Sequence, residues 1–140
     1  MLNIHATLVS YKNKGILLMG PSGSGKSDLA LRLITDYGAK LVADDRVDLF
    51  VKNNRLCGCS PKNICKKLEI RGLGIANFPA KKDVFIDICV ELCLNRKDIE
   101  RLPEAQYADF LGFSVEKIKL YPFDCSTICK LIAKISGIIS

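Results

Sequence analysis

Tryptophan is absent from the 140 residues, and histidine occurs once. No apolar run approaches the roughly 18 residues that a membrane-crossing helix needs. The first residues show no basic stretch followed by a long apolar one, so no export signal is expected and the chain reads as cytoplasmic. No Cys-x2-Cys pair is there to begin a zinc site, and a single histidine offers little help to the seven cysteines. Their odd number and their placement inside apolar runs argue against a disulfide framework. They read as reduced thiols that pack as small hydrophobes. The few aromatics are not interleaved with basic residues, which argues against a nucleic-acid platform. The net charge of +6 therefore favours anionic partners only in a general way. The length suits one domain, residues 1–140, with a real core and no room for a second.

What is present is a complete phosphate-binding loop: Gly20, Pro21, Ser22, Gly23, Ser24, Gly25, Lys26 and Ser27. An apolar run, residues 15–19, leads into it, and a helix-patterned run leads out. A glycine turn capping an ordinary helix would explain the glycines alone. Strand, loop and helix in that order are the context that makes the match a physical site. The glycines allow the backbone to wrap closely and aim its N–H groups at phosphate oxygens, and the helix adds the positive end of its dipole. In such a loop Lys26 reaches the terminal phosphates and the Ser27 hydroxyl ligates Mg²⁺, with ATP or GTP as the nucleotide.

Periodicity places the loop in an α/β setting. Residues 4–9 read as a strand that forms a hairpin with residues 15–19 through a turn at Asn13 and Gly15. Leu29, Leu33 and Tyr37 recur at i+4, with Leu31 and Ile34 widening the stripe, which predicts a helix over 27–37 stopped by Gly38. Residues 41–43 form a short strand, and 47–51 with 55–59 a second hairpin around Lys52-Asn-Asn54. Residues 61–67 suit a brief helix, and 68–75 a strand or loop with two glycines. From Val84 to Leu94 the even positions are all apolar, so one face of a long strand is expected to be buried throughout. A strand over 117–121, stopped by Pro122, and a helix over 125–139 complete the chain. The fold class expected is α/β, a mixed sheet with flanking helices.

A phosphate loop needs carboxylates to hold a metal and to accept a proton. Asp44 and Asp45 follow a short apolar strand expected beside the loop strand, so both emerge at a carboxyl end, where open α/β sheets bind ligands. Successive side chains point oppositely, which suggests different roles for the two. Glu69 and Arg71 come next: the carboxylate as a second metal contact, the guanidinium as a fork for a phosphoryl group. Taken singly, Glu-x-Arg is an ordinary exposed ion pair and His5 an ordinary strand histidine.

Together, His5, the loop from Gly20 to Ser27, Val42-Ala-Asp-Asp-Arg-Val47 and Leu68-Glu-Ile-Arg-Gly-Leu-Gly-Ile75 resemble the HPr kinase/phosphorylase family. The likeness is strong over residues 4–76 and weak beyond, and without a separate N-terminal domain the chain resembles the shorter forms that consist of the catalytic domain alone. Glu-Ile-Arg-Gly-Leu-Gly-Ile is far more specific to that family than the loop is. The resemblance implies a P-loop catalytic domain like that of HPr kinase and phosphoenolpyruvate carboxykinase. It also implies Mg²⁺- and ATP-dependent phosphorylation of a serine in the phosphocarrier HPr, and the reverse step in which phosphate attacks phosphoserine to give pyrophosphate. It casts Lys26 as the phosphate-binding lysine, and Ser27 and Glu69 as Mg²⁺ ligands. It takes the base from Asp44 and Asp45, with Asp44 favoured, and sets His5 and Arg71 near the transferring phosphate. Family members are commonly oligomeric, hexamers among them.

Two departures stand out. Asn77-Phe-Pro-Ala-Lys-Lys82 replaces a glycine-rich stretch, and Leu120-Tyr-Pro-Phe-Asp124 lacks the arginine of a loop tied to the dephosphorylation step. The weight of the inheritance falls on the kinase direction. The alternatives keep the loop and change the rest: a kinase or ATPase acting on a small molecule or another protein, or a nucleotide-binding regulatory module without turnover.

Overall fold

Ala6 divides the first expected strand into two strands with different neighbours. β1 (Leu2–His5) and β2 (Thr7–Tyr11) follow each other directly, yet β1 pairs antiparallel with β5 (Arg46–Lys52), and β2 with β3 (Lys14–Met19) and β4 (Lys40–Ala43). The computed structural model describes residues 1–61, 67–70, 72–77 and 79–137, and of 67–69 and 76 the backbone. Among them, nine strands form one curled sheet, ordered β1-β5-β6-β9-β3-β2-β4, with β11 also beside β9 and β10 beside β11. Here β6 is Arg55–Cys59, β9 Asp83–Leu92, β10 Gln106–Phe110 and β11 Phe113–Leu120. β7 (Lys67–Ile70) and β8 (Gly74–Asn77) make a separate hairpin. The helix suggested over 61–67 falls largely outside the described residues.

Turn chemistry explains the hairpins. Lys12 and Asn13, like Asn53 and Asn54, are paired residues with positive φ, the conformation a two-residue hairpin turn needs to match strand twist. Leu111 and Gly112 do the same between β10 and β11, a hairpin that the sequence reading left out.

Two apolar layers result. On one face, Val9, Ile16 and Leu18 meet Leu29 and Leu33 of α1 (Lys26–Tyr37) and Ile128 and Leu131 of α2 (Thr127–Ile135). On the other, Leu8 and Leu17 face Val47, Leu49 and Leu56 across the fold of the sheet. Alternation along β2 and β3 thus feeds both layers, as a sheet covered on each side requires.

The expectation that the even positions of β9 share one face is corrected. Val84 and Ile86 lie in the layer between the sheet's two halves, whereas Ile88, Val90 and Leu92 lie against the helices, and odd-numbered Cys89 joins Val84. The cause is a register slip against β3: Gly15 pairs with Ile86 and Ile16 with Ile88, leaving Asp87 as an extra residue. A bulge of one residue exchanges the faces of everything beyond it. Asp87 anchors it, its Oδ2 accepting from Gly15 N–H at 3.0 Å. Leu94 lies past the strand and is 57% exposed.

Candidate active site

The loop is built as its glycines foretell. Gly20, Gly23 and Gly25 have φ of 152°, 78° and 92°, conformations that side chains oppose. Gly20 leaves no room for one in any case, since a Cβ there would lie 2.6 Å from Ser24 Oγ and 3.0 Å from Leu92 O. α1 starts at Lys26, and Leu29 N–H closes its first turn on Gly25 O at 2.9 Å. Ser24 is fully buried, and its hydroxyl has no hydrogen-bond partner among the described residues. An unpaired hydroxyl costs stability unless something polar comes to it, and an anion seated in the loop is such a partner.

Lys26 is 7% exposed, and its Nζ donates to Gly20 O at 2.7 Å and Pro21 O at 3.1 Å. Burial lowers its pKa below that of an ordinary lysine, with Asp45 and then Asp44 opposing the shift. Ser27 Oγ donates to Asp44 Oδ1 at 3.0 Å, and Thr7 Oγ1 donates to the same oxygen at 2.9 Å.

The strand carrying Asp44 is not beside the loop strand, contrary to expectation. β3 is flanked by β2 and by parallel β9, and β4 lies beyond β2. Since β2 runs antiparallel to both, β3 and β4 are parallel and end at the same edge. The intervening strand contributes to the site: Thr7, its first residue and fully buried, bridges the gap. Nothing in the sequence singles out Thr7 except a hydroxyl in an apolar run.

Asp44 and Asp45 occupy the turn where the chain leaves β4 for β5. Asp45 takes a left-handed φ of 69°, and its carbonyl accepts from Ala6 N–H at 3.1 Å. Aspartate tolerates this conformation better than most residues. The turn sends the two carboxylates apart, as alternation had suggested, but through a kink rather than a continuing strand. Asp45 is at the rim with His5, whose Nε2 lies 2.9 Å from Asp45 Oδ1. His5, Asp44, Asp45, Lys26 and Ser27 thus line one cleft of about 730 Å³, with Ile70, Leu31 and Phe123 as apolar wall. None of these three was among the expected residues, and Phe123 owes its place to Pro122 and the turn into α2. The Glu69 side chain and Arg71 lie outside what is described, although β7, which carries Glu69, reaches the cleft through Ile70.

Hard oxygen donors and an anion cradle define the chemistry. Mg²⁺ usually keeps several waters and takes one or two carboxylates together with substrate phosphates. Ser27, its hydroxyl proton directed to Asp44 and its oxygen lone pairs left open, fits that habit as one hard donor. No cluster of three or more His, Cys, Asp or Glu side chains among the described residues would make a closed metal cage.

By architecture and loop, this is a mixed α/β domain of the P-loop type. Residues 1–135 match the family model of the HPr Serine kinase C-terminal domain, and the chain belongs to that family. It is 36% identical over 125 residues to the HPr kinase/phosphorylase of Clostridium botulinum (strain Eklund 17B / Type B), covering 82% of this chain and 41% of that protein. With the HPr kinase/phosphorylase of Lactobacillus johnsonii the identity is 37% over 129 residues, covering 87% and 38%. The chain therefore spans about two fifths of the length of these curated relatives. The solved Hpr(Ser) kinase/phosphatase from Coxiella burnetii superposes with a TM-score of 0.80 at 25% identity, over 99% of this chain and 94% of that one. No helix among the described residues is long and apolar enough to cross a membrane.

Proposed function

We propose that this domain transfers the γ-phosphoryl group of ATP, with Mg²⁺, to a serine hydroxyl of an HPr-like phosphocarrier protein. The observation that carries the reading is the contact of Ser27 Oγ with Asp44 Oδ1 at 3.0 Å, which joins the phosphate loop to a strand-end carboxylate in one cleft. The names of the relatives supply the acceptor. In this account the loop amides and Lys26 hold the phosphates, and Ser27 holds Mg²⁺ together with Glu69. The metal supplies charge neutralisation at the transferring phosphoryl oxygens when bound.

Asp44 is the base. Thr7 and Ser27 fix its carboxylate, so it accepts the seryl proton without first reorienting. His5 and Arg71 flank the transferring phosphoryl group, and Asp45 orients His5 from the rim at 2.9 Å. Most of the rate comes from positioning and fixed charge, because phosphoryl transfer asks little covalent chemistry of the protein. Run in reverse, phosphate attacks phosphoserine, Asp44 returns the proton to the seryl oxygen, and pyrophosphate leaves. The enzyme works in the cytoplasm, where nucleotide and phosphocarrier meet, and assembles as an oligomer as its family commonly does.

Incubation with γ-labelled ATP and purified HPr tests the reading. Label on a serine with the wild type, and none with Lys26→Ala, is the expected result. ATP hydrolysis without protein labelling would replace the phosphocarrier by another acceptor.

A further inference from the structure

A second cavity, of about 500 Å³, opens on the other flank of the phosphate loop. It touches Gly20 and Pro21, whereas the catalytic cleft touches Ser22 to Ser27. Its walls come from the carboxyl ends of three neighbouring parallel strands: Met19 from β3, Glu91 and Leu92 from β9, and Lys119 from β11. Leu94 and Asp98 from the segment after β9 complete it. A nucleoside triphosphate has two ends. If its terminal phosphate faces Asp44, the sugar and base must leave the loop elsewhere. Resting on that reading of the loop, the geometry points to this cavity as the seat of the nucleoside, with Leu94 covering the base and Asp98 accepting a hydrogen bond from its amino group.

Several observations converge. The cavity is contiguous with the loop, because Gly20 and Pro21 line it together with Leu92, against whose carbonyl a Cβ at Gly20 would lie at 3.0 Å. Its position beyond the carboxyl ends of parallel strands, across the loop from the Asp44 turn, is where a doubly flanked sheet opens a crevice. The volume is of the size that small-molecule sites have. Leu94 is 57% exposed beside it, an apolar surface with no protein partner to cover that area. Glu91 faces Lys119 at 3.8 Å, whereas the Asp98 carboxylate has no ion pair or side-chain hydrogen bond among the described residues.

The segment bearing Leu94 and Asp98 is also held in place. Cys93 N–H donates to Leu120 O at 2.9 Å, and Asn95 Oδ1 accepts from Lys97 N–H at 3.0 Å. The Arg96 guanidinium lies 4.4 Å from the Tyr121 ring and is paired with Asp124. A wall fixed before the ligand arrives loses less entropy on binding. A carboxylate acceptor favours bases that present N–H donors and gives nothing to a ring without one.

Binding of three Mg²⁺-loaded probes separates the possibilities: ATP, tripolyphosphate, and purine riboside 5′-triphosphate, which lacks the amino group. The wild type is expected to bind ATP about tenfold or more tighter than tripolyphosphate. Leu94→Asp should bring ATP down to the tripolyphosphate level while tripolyphosphate binding stays as it was, which also shows that the variant is folded. Asp98→Ala should erase the preference for ATP over purine riboside triphosphate. Wild-type affinity for ATP in both variants would overturn the assignment, as would equal binding of ATP and tripolyphosphate by the wild type. Failure of the loop reading looks different: neither ATP nor tripolyphosphate binds, and Lys26→Ala changes nothing.

Discussion

The two flanks of the phosphate loop are built on opposite plans. Toward Asp44 the structure is closed and specific: buried Thr7 and half-buried Ser27 each donate to one carboxylate oxygen, and Lys26 is almost wholly covered. Toward Asp98 it is open, with an uncovered leucine and a carboxylate that no described residue pairs. Chemistry demands groups fixed in advance to within fractions of an ångström, whereas holding a nucleoside demands surface and one or two directed bonds. The loop lies at the junction of the two and serves both.

The sharpest way to break this contrast is at Lys26. Lys26→Ala should lower kcat by about 10²–10³-fold or more, the scale seen when one charge-stabilising group is lost from a preorganised site. A steady-state phosphotransfer assay measures it. A loss confined to KM would mean that the lysine only binds. Thr7→Val comes next, since it keeps shape and removes one of the two donors to Asp44. We expect turnover to fall about tenfold, equivalent to ~1.4 kcal/mol, with nucleotide affinity nearly unchanged. An equal fall in affinity would show that Thr7 merely supports the fold.

A pH titration sharpens the picture at smaller amplitude. Burial lowers the Lys26 pKa, and only the protonated amine attracts phosphate, so affinity is lost as pH rises through that lowered value. The alkaline limb of nucleotide binding should therefore begin below the range in which an ordinary lysine loses its proton. Lys26→Arg should move the limb upward even where it weakens binding, because arginine keeps its charge. The mildest expectation concerns thiols. Cys89 is buried and its pKa is pushed up to about 11 by that burial, while Cys125 and Cys129 are exposed on or beside α2. Native protein should alkylate at Cys125 and Cys129 and spare Cys89 until it unfolds, as peptide mass mapping would reveal.

Much of the site was legible in the sequence because it lies in local patterns. Strand, glycine loop and helix are contiguous, and Asp44-Asp45 is contiguous with the strand before it. What escaped notice depends on contacts between distant segments. Thr7 matters only because β4 lies beyond β2, and no spacing in the chain encodes that order. The even-numbered apolar residues of β9 looked like one face until the slip at Asp87, which depends on Gly15 some seventy residues earlier. β10 escaped because the hydropathy of its Gln106–Phe110 segment alternates weakly, with Tyr107 turned outward at the sheet edge and only Phe110 buried. Gly38, at φ 71°, ends α1 as expected, and Asn53 and Asn54 turn the second hairpin, whereas Gly15 lies inside β3 rather than in the first turn and α2 spans only Thr127–Ile135.

The most direct measurement is single-turnover transfer of label from ATP to a serine of HPr by wild type and by Asp44→Asn, with nucleotide binding followed in parallel. With Asp44 as the base, the variant binds nucleotide and the transfer step falls by about 10²–10⁴-fold. Transfer by Asp44→Asn at the wild-type rate, or loss of nucleotide binding alone, would contradict it.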